Sequence, residues 1–480
     1  MLRTTMHDFL TKGSSDFSIE LFERRGFREL AREALDKASR WEERKCPLGA
    51  LFVTWIVVAL TLHRTKSYPN ILTAMLGLMR EAEPELSLRA VKPNSICSAR
   101  ARPGYEPLED LFHRHAERII PKPSFLGFRT WGADGVRFTV PDTHLNEWAF
   151  GRPSTSRGEA AFPQLLAIAL VDTQGHRVRD VVFTDCRSGE RPGCEEMLHR
   201  LGEDDLLFLD RGFASTRLFE KCMGAGAHFV GRISASWKPT HLRSPGEGDS
   251  LVRVEAWEPV PGSVRVKGKR GERRHISLTL RMIEFEIKSG KSVRLLTDLL
   301  DPVMYPARTL ALGYHERWET ELSFDEIKTH LATVTHGTLH TTLRSKTPEG
   351  VLQEAHGMMI AYNLIRDVIA EAAETRDIPA REISFVEALE VVKEALPRFE
   401  RAVHTQAPQQ ERERLVHQLL DDIAAVRLDR PRRKRVYDRA VKVKMSNFKL
   451  KRPQHGQQLR DFPAELRMGG CRAPDQDLPP

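Results

Sequence analysis

The sequence predicts a mixed α/β protein with helices towards both ends and strands in the middle. Three observations support this fold class. Apolar residues recur at helical spacing in LFERRGFRELAREALDKA (21–38), and the region around it reads as helical from residue 18 to about 120. Short apolar or alternating runs, which indicate strands, follow from residue 136 to 300. A helical pattern then returns at residue 308 and continues to about residue 427.

The N-terminal region, residues 1–122, is predicted to be a helical domain. Its most apolar run, LGALFVTWIVVALTL (48–62), is shorter than the roughly 20 residues that a bilayer-spanning helix needs. We therefore expect a buried helix around which the other helices pack. Pro121 and Pro123 end the helical pattern and mark the boundary with the next region.

The central region, residues 123–345, is predicted to contain the strands. The runs that indicate them are VRFTV (136–140), QLLAIALV (164–171), DLLFLD (205–210), AHFVGRI (227–233), HISLTLRMIEFEI (275–287) and SVRLLTDLL (292–300). The remaining region, residues 346–480, is predicted to be helical and to end in a basic tail. That tail includes Arg432, Arg433, Lys434 and Arg435.

Charge and cysteine content suggest a partner and a compartment. Lys and Arg number 74 against 66 Asp and Glu, a formal charge of +8, which makes a polyanion a reasonable partner. The six cysteines form no CxxC pair, which fits a reducing cytoplasm better than a disulfide framework. The polar start, MLRTTMHDFL, does not have the pattern of a signal peptide. We expect a soluble cytoplasmic protein.

The stretch YHERWETELSFDEIK (314–328) brings four chemically distinct side chains together. On a helix that turns 100° per residue, Tyr314, Arg317, Glu321 and Lys328 fall within a stripe about 60° wide. Such a stripe is compatible with an ordinary solvated i,i+4 ion pair. It is also compatible with a carboxylate that holds a metal ion while its neighbours bind a DNA backbone through charge and hydrogen bonds.

A metal site of that kind needs further carboxylates at strand ends. Asp210 directly follows the apolar strand Leu206–Leu209, although an Asp at this place is also a common turn former. The other candidates are Asp134, in an Asp-Gly step that is also typical of tight turns, and Asp142, which follows the strand VRFTV.

The spacing Tyr-x2-Arg-x3-Glu-x6-Lys resembles the signature of bacterial DDE transposases of the insertion-element-4 type. Other stretches resemble the same family in the same order: ADGVRFTVPDTHLNEWAFGRP, LLFLDRGFAS, RLLTDLLDPVMYPARTLALGYHERWETEL and LRSKTPEGVLQEAHGMMIAYNLIR. The similarity covers most of the chain, including the N-terminal region around LFERRGF and the KLKR of the tail. Val136 stands where the family usually has the Thr of Asp-Gly-Thr.

The resemblance implies a fold and a reaction. The fold would be an RNase H-like catalytic core in residues 123–345, with a β-rich insertion at about 233–292. It would be flanked by a helical, DNA-binding N-terminal domain and by the helical C-terminal region with its basic tail. The enzyme would cleave DNA at the inverted-repeat ends of a bacterial insertion sequence and transfer the 3′-OH strand into target DNA. It would act as a dimer on paired ends and near the nucleoid.

The resemblance also assigns roles to residues. Asp134, Asp210 and Glu321 would form the catalytic triad, with Asp142 as the alternative first carboxylate. They would hold two Mg²⁺ or Mn²⁺ ions about 4 Å apart. Tyr314, Arg317 and Lys328 would bind DNA phosphates.

Two other functions fit the same fold. One is a catalytically inactive DNA-binding protein derived from a transposase, and the other is a nuclease that cuts without joining.

Overall fold

The computed structural model describes residues 20–42, 48–64, 66–80, 93–155, 158–260, 272–287, 291–332 and 343–428. Beyond these it describes residues 435–436, 441–442, 449–450, 460–461 and 466–469. The chain divides into two compact units. The first comprises Met1–Lys122, Asp134–Met197 and Glu319–Leu428, and the second comprises Pro123–Ala133, Leu198–Trp318 and Asp429–Pro480.

The structure contains both α-helices and β-strands, as expected for the mixed α/β class. The helices are α1 (Glu20–Glu23), α2 (Phe27–Ala38), α3 (Ala50–Leu62), α4 (Tyr68–Arg80), α5 (Pro93–Ala101), α6 (Glu106–Glu117), α7 (His144–Phe150), α8 (Glu190–Met197), α9 (Thr216–Gly224), α10 (Ala307–Gly313), α11 (Trp318–Asp325), α12 (Pro348–Thr375), α13 (Phe385–His404) and α14 (Gln409–Ala425). The strands are β1 (Arg129–Thr139), β2 (Ser154–Thr155), β3 (Gly158–Glu159), β4 (Gln164–Asp172), β5 (Val178–Asp185), β6 (Asp205–Leu209), β7 (His228–Ile233), β8 (Thr240–Gly246), β9 (Asp249–Pro259), β10 (Arg273–Ile287) and β11 (Lys291–Thr297). Shorter strands follow at Arg435–Val436, Val441–Lys442, Lys449–Leu450, Arg460–Asp461 and Leu466–Met468.

The first unit is built around two apolar helices. All residues of α3 are buried, as the apolar run in the sequence predicts. The helix α12 packs against α3, and Gly357 of α12 allows the two helices to approach closely. A Cβ at Gly357 would lie only 2.6 Å from Cγ1 of Val57, so any larger residue would push the helices apart. The antiparallel pair β4–β5 adds its apolar residues to the same core.

Polar side chains on α12 fix that helix in place. The carboxylate of Glu354 is buried and lies 3.3 Å from Arg64 and 3.5 Å from Arg100. Farther along the helix, Asn363 donates to the carbonyl of Val178 and accepts from its N–H, both at 2.8 Å. Because a buried polar group without a partner costs free energy, these contacts hold α12 against its neighbours in a single register.

The second unit is a mixed sheet with helices packed on it. The residues Arg129–Gly132 of β1 pair in parallel with β6, and β6 pairs in parallel with β7. The strands β11, β10, β9 and β8 then continue the sheet in antiparallel pairs. The strand β6 is buried along its full length, as expected for a parallel strand that is covered on both faces.

The predicted fold class is confirmed as a mixed α/β structure with a large sheet and many helices. The expected runs correspond to β1, β4, β6, β7, β10 and β11. The strands β8 and β9 lie within the β-rich insertion at about 233–292 that the resemblance implied, whereas β5 had no counterpart in the sequence prediction. The first compact unit combines segments from all three predicted regions, whereas the second combines segments from the central and C-terminal regions only. Within the described part of the chain, no helix combines the length and apolar character that crossing a membrane would require.

The histidine His356 of α12 should make the first unit acid-sensitive. Its ring is buried beside Phe183, Tyr105 and Phe112. Burial lowers the pKa of His356 to about 3, although Nδ1 bonds to the Leu352 carbonyl and Glu109 lies 4.0 Å from Nε2. The neutral ring therefore stabilises the fold above the unfolded-state pKa of about 6.5, and this contribution is lost as the pH falls towards 3.

We predict that the free energy of unfolding decreases by about 1.4 kcal/mol per pH unit below pH 6.5 because of His356. Urea denaturation of the parent and of His356→Phe between pH 5 and 7.5 measures this contribution as the difference between the two slopes. Parallel pH profiles for the two proteins would contradict the assignment.

Candidate active site

The segment 314–332 is helical throughout but does not form one regular α-helix. Tyr314–Arg317 is a 3₁₀ turn, α11 covers only Trp318–Asp325, and Glu326–Ala332 is a π-helix. The expectation of a single helix at 100° per residue is therefore wrong at both ends. The angular stripe that it predicted applies only within α11, where Glu321 lies.

Tyr314 belongs to the second unit and is buried. Its hydroxyl donates a hydrogen bond of 3.0 Å to the carbonyl of Leu209, the last residue of β6. Its ring packs edge-on against Phe208, with the ring centroids 6.4 Å apart. Burial raises the pKa of Tyr314, and Asp210 raises it further, while Arg317 and Arg232 oppose this. Tyr314 thus contacts the strand end that carries Asp210.

The two cationic members of the signature differ in exposure. Arg317 is buried, with its Cζ 5.0 Å from the centre of the Trp318 ring, and it forms a hydrogen bond with Tyr314. Lys328 is exposed and lies in the π-helix of the first unit. Arg317 therefore carries its charge close to Tyr314, whereas Lys328 presents its charge at the surface.

The carboxylate of Asp210 caps the turn that follows β6. Its Oδ1 accepts hydrogen bonds from the N–H groups of Gly212 at 2.6 Å and Phe213 at 3.2 Å. A Cβ at position 212 would lie 2.9 Å from Oδ1 of Asp210, so Gly212 leaves room for this close approach. The turn-forming role suggested by the sequence is therefore present, and it fixes the orientation of the carboxylate.

Asp134 lies within β1 and is half-buried. Its Oδ1 accepts a hydrogen bond of 2.8 Å from the N–H of Gly135. The side chain of Glu190, at the start of α8, packs on Gly135, because a Cβ there would lie 2.5 Å from Oε1 of Glu190. Asp134 is thus held in a strand, beside a carboxylate that sequence reasoning did not single out.

Asp142 occupies a different environment. It is exposed in the loop between β1 and α7, and its Oδ1 lies 2.5 Å from Nη2 of Arg152. The same guanidinium lies 3.0 Å from Glu147, and Glu147 is also exposed. Asp142 is therefore paired at the surface and is not held in a strand.

Glu321 is half-buried on α11, between two acidic residues that have buried partners. Glu319 lies 2.8 Å from Nε2 of His176. Glu326 forms an ion pair with Arg366 and accepts a hydrogen bond of 2.8 Å from the hydroxyl of Tyr362. Sequence reasoning did not single out these partners, and their separation along the chain leaves no local signal by which to find them.

The proposed ligands have suitable chemistry for a hard divalent cation, since all three are carboxylates. Asp134 and Glu321 belong to the first unit, and Asp210 belongs to the second. Among the residues that the structure describes, no group of three or more His, Cys, Asp or Glu side chains is arranged to hold a metal ion. Arg432, Arg433 and Lys434 lie outside the described residues, and only the backbone of Arg435 is described.

Comparisons with known proteins identify the family. The model of the transposase DDE domain matches residues 133–364, and the model of the insertion element 4 transposase N-terminal domain matches residues 18–113. The chain belongs to the insertion-element-4-type family of DDE transposases. As a transposase of an insertion sequence, it is an enzyme that cleaves and transfers DNA.

Two known proteins illustrate the similarity. The chain is 27% identical to the transposase InsG for insertion sequence element IS4 of Escherichia coli (strain K12) over an aligned region of 424 residues. The aligned region covers 86% of this chain and 90% of InsG. The piggyBac transposase in a synaptic complex with hairpin DNA is similar with a TM-score of 0.41 and 10% identity, and 84% of each chain is covered.

The hydrogen bond from Tyr314 to Leu209 should stabilise the strand end of this transposase. We predict that Tyr314→Phe lowers the free energy of unfolding by about 1–2 kcal/mol, because the buried carbonyl of Leu209 loses its donor. Urea denaturation measures the change. The matched control is Tyr305→Phe in the same unit, where the ring packs on Phe128 at 5.9 Å. Equal stability of Tyr314→Phe and the parent would contradict a role for this bond.

Proposed function

We propose that this transposase cuts the inverted-repeat ends of its insertion sequence with three carboxylates, Asp134, Asp210 and Glu321. The observation that carries the proposal is the match of the transposase DDE domain to residues 133–364, which include all three carboxylates. Asp134 lies in β1, Asp210 directly follows β6, and Glu321 lies on α11.

The support for Asp134 over Asp142 comes from their environments. Asp134 is held within a strand, by a hydrogen bond to the next residue and beside a packed glutamate. Asp142 is exposed and paired with Arg152, and that guanidinium would have to be displaced before the carboxylate could bind a cation. These differences favour Asp134 as the first carboxylate.

The fold that fits this chemistry is an RNase H-like core. Its elements would be β1 with its parallel partners β6 and β7, together with the antiparallel pair β4–β5. The strands β8, β9 and β10 would belong to the β-rich insertion, at about residues 233–292, that precedes the segment with Glu321. The N-terminal helices would bind the inverted repeats.

The proposed reaction has two displacement steps at phosphorus. In the first, water attacks the phosphodiester at the end of the element, and the 3′ oxygen leaves with the bonding electrons as a free 3′-OH. In the second, that 3′-OH attacks a phosphodiester of target DNA, and a target 3′ oxygen leaves. Mg²⁺ or Mn²⁺, when bound, would supply charge neutralisation and activation of the attacking oxygen.

The residues of the chain would hold the DNA in line for these steps. Arg317 and Lys328 would bind phosphates near the cleaved end. Tyr314 would bind the same phosphates. Its hydrogen bond to the carbonyl of Leu209 would also keep the turn that carries Asp210 in position. The basic tail, with Arg432, Arg433, Lys434 and Arg435, would add salt-dependent affinity without sequence specificity. Two copies of the chain would act together on paired ends.

We predict that Asp134→Asn, Asp210→Asn and Glu321→Gln each reduce Mg²⁺-dependent cleavage of an inverted-repeat end at least about a hundredfold, since removing a ligand exceeds the effect of removing an outer-shell partner. Each variant should still bind the DNA fragment. The matched control is Asp142→Asn, which should retain cleavage. A gel assay of cleavage and a mobility-shift assay of binding provide the two readouts.

The same assay separates the competing functions. A parent protein that binds DNA without cleaving it in Mg²⁺ or Mn²⁺ would indicate an inactive descendant of a transposase. Cleavage without strand-transfer products would indicate a nuclease that cuts and does not join. Loss of cleavage in Asp142→Asn, with cleavage retained in Asp134→Asn, would reverse the assignment of the first carboxylate.

A further inference from the structure

A buried polar cluster in the first unit joins three elements behind the helix that carries Glu321. Its members are His176, Glu319, Glu326, Tyr362 and Arg366. His176 lies in the turn between β4 and β5, the two glutamates lie on either side of Glu321 in the sequence, and the other two lie on α12. All five side chains belong to the same compact unit.

The imidazole of His176 is the centre of the cluster. Its Nε2 lies 2.8 Å from Oε2 of Glu319 and donates a hydrogen bond, because a carboxylate can only accept. Its Nδ1 lies 3.0 Å from Nη2 of Arg366 and 3.5 Å from Oε1 of Glu326. The ring therefore connects both glutamates to the arginine of α12.

The turn that carries His176 is itself firmly built. The carboxylate of Asp172 accepts hydrogen bonds of 2.9 Å from the N–H groups of Gln174 and Gly175. The N–H of His176 donates to the carbonyl of Asp172 at 2.8 Å. His176 has a φ of 62°, which a residue with a side chain seldom adopts, so the turn holds the ring in a conformation that the local sequence does not favour.

Glu319 lies on the face of α11 opposite Glu321, because two residues at about 100° each place their side chains about 160° apart. Glu326, the first residue of the π-helix, joins the same cluster through His176 and Arg366. The cluster thus contacts the side of α11 opposite Glu321.

The helix also changes type within the cluster. The α-helix α11 ends at Asp325, and the π-helix begins at Glu326, the residue that pairs with Arg366. A π-helix is rare and persists only where other contacts stabilise it, and it is frequent at functional sites. The ion pair supplies such a contact at the first residue of the π-helix.

We infer that His176 and Arg366 are positioning residues for Glu321, acting through Glu319 and Glu326. The inference rests on the proposed function of Glu321 as a ligand of a divalent cation. The cluster fixes the rotation and height of the helix, and hence the direction in which the Glu321 carboxylate points. Neither positioning residue touches DNA or the reacting atoms in this role.

The first unit offers a matched control for the loss of a buried histidine. His115 of α6 is as buried as His176, and its Nε2 lies 3.0 Å from Oδ2 of Asp367, the residue of α12 next to Arg366. The His115 pair therefore connects a histidine to the same helix without contacting the segment that carries Glu321. His176→Ala and His115→Ala should cost similar stability and differ only in their effect on Glu321.

The test compares Mn²⁺ binding and cleavage at a temperature where thermal unfolding shows all proteins to be folded. We expect His176→Ala in complex with an inverted-repeat fragment to bind Mn²⁺ about tenfold more weakly by calorimetry, as outer-shell losses do at metal sites, and to need correspondingly more Mg²⁺ for half-maximal cleavage. His115→Ala should match the parent within about threefold in both measurements. Affinity for the DNA fragment itself should be unchanged in both variants.

The conservative variant His176→Gln adds a second criterion. Its amide can donate to Glu319 and accept from Arg366, so it should restore most of the Mn²⁺ affinity that His176→Ala loses. Equal Mn²⁺ affinities for His176→Ala, His115→Ala and the parent would overturn the inference, as would equal losses in both alanine variants.

Glu321→Gln, measured in parallel, separates this inference from the proposed function. If Glu321→Gln retains Mn²⁺ binding and cleavage, the proposed function of Glu321 is wrong. If it loses both while His176→Ala behaves as the parent does, only the positioning role is wrong.

Discussion

The ion pair between the buried Arg366 and the largely buried Glu326 is the contact on which the order of the helix with Glu321 depends. A buried charge is tolerated only with a partner, and removal of one member of such a pair costs about 3–5 kcal/mol. Burial alone would raise the pKa of Glu326, but the Arg366 guanidinium and the His176 ring outweigh it and lower that pKa to about 2. Glu326 therefore remains charged and paired, and the π-helix that continues α11 is held against α12.

The helix α12 in turn is anchored along its length. Glu354 pairs with Arg64 and Arg100 of the N-terminal region, Asn363 forms two hydrogen bonds with Val178 of β5, and Arg366 joins the cluster around His176. These contacts lie far apart in the sequence and make the first unit a rigid support. In the second unit, the hydrogen bond between Tyr314 and Leu209 has a comparable effect on the strand end before Asp210. Rigid support of this kind suits a site whose carboxylates must keep their directions.

Much of the fold could be predicted because the signals are local. The buried helix α3 and the strands β4 and β6 follow from continuous apolar runs. The strand β5, VRDVVFTD, was missed because its charged residues interrupt the apolar pattern. The candidate site could be predicted as residue types at fixed spacing, and the comparisons bear out the family that this spacing indicates.

The supporting contacts could not be predicted, since they depend on the tertiary structure. His176 and Glu319 are 143 positions apart, and nothing in the sequence near either residue indicates the other. The change from 3₁₀ to α to π geometry across residues 314–332 also arises from tertiary contacts, such as the pairing of Glu326 with Arg366. Residue spacing and the family resemblance therefore indicated the candidate carboxylates but not the polar cluster that packs beside Glu321.

We propose that Asp134, Asp210 and Glu321 together bind the divalent cations of this transposase. Anomalous diffraction from crystals of the protein bound to a cleaved inverted-repeat end and soaked in Mn²⁺ would locate those cations. We expect anomalous peaks in contact with the carboxylates of all three residues and none at Asp142. Manganese bound at Asp142, or away from Glu321 altogether, would contradict the claim.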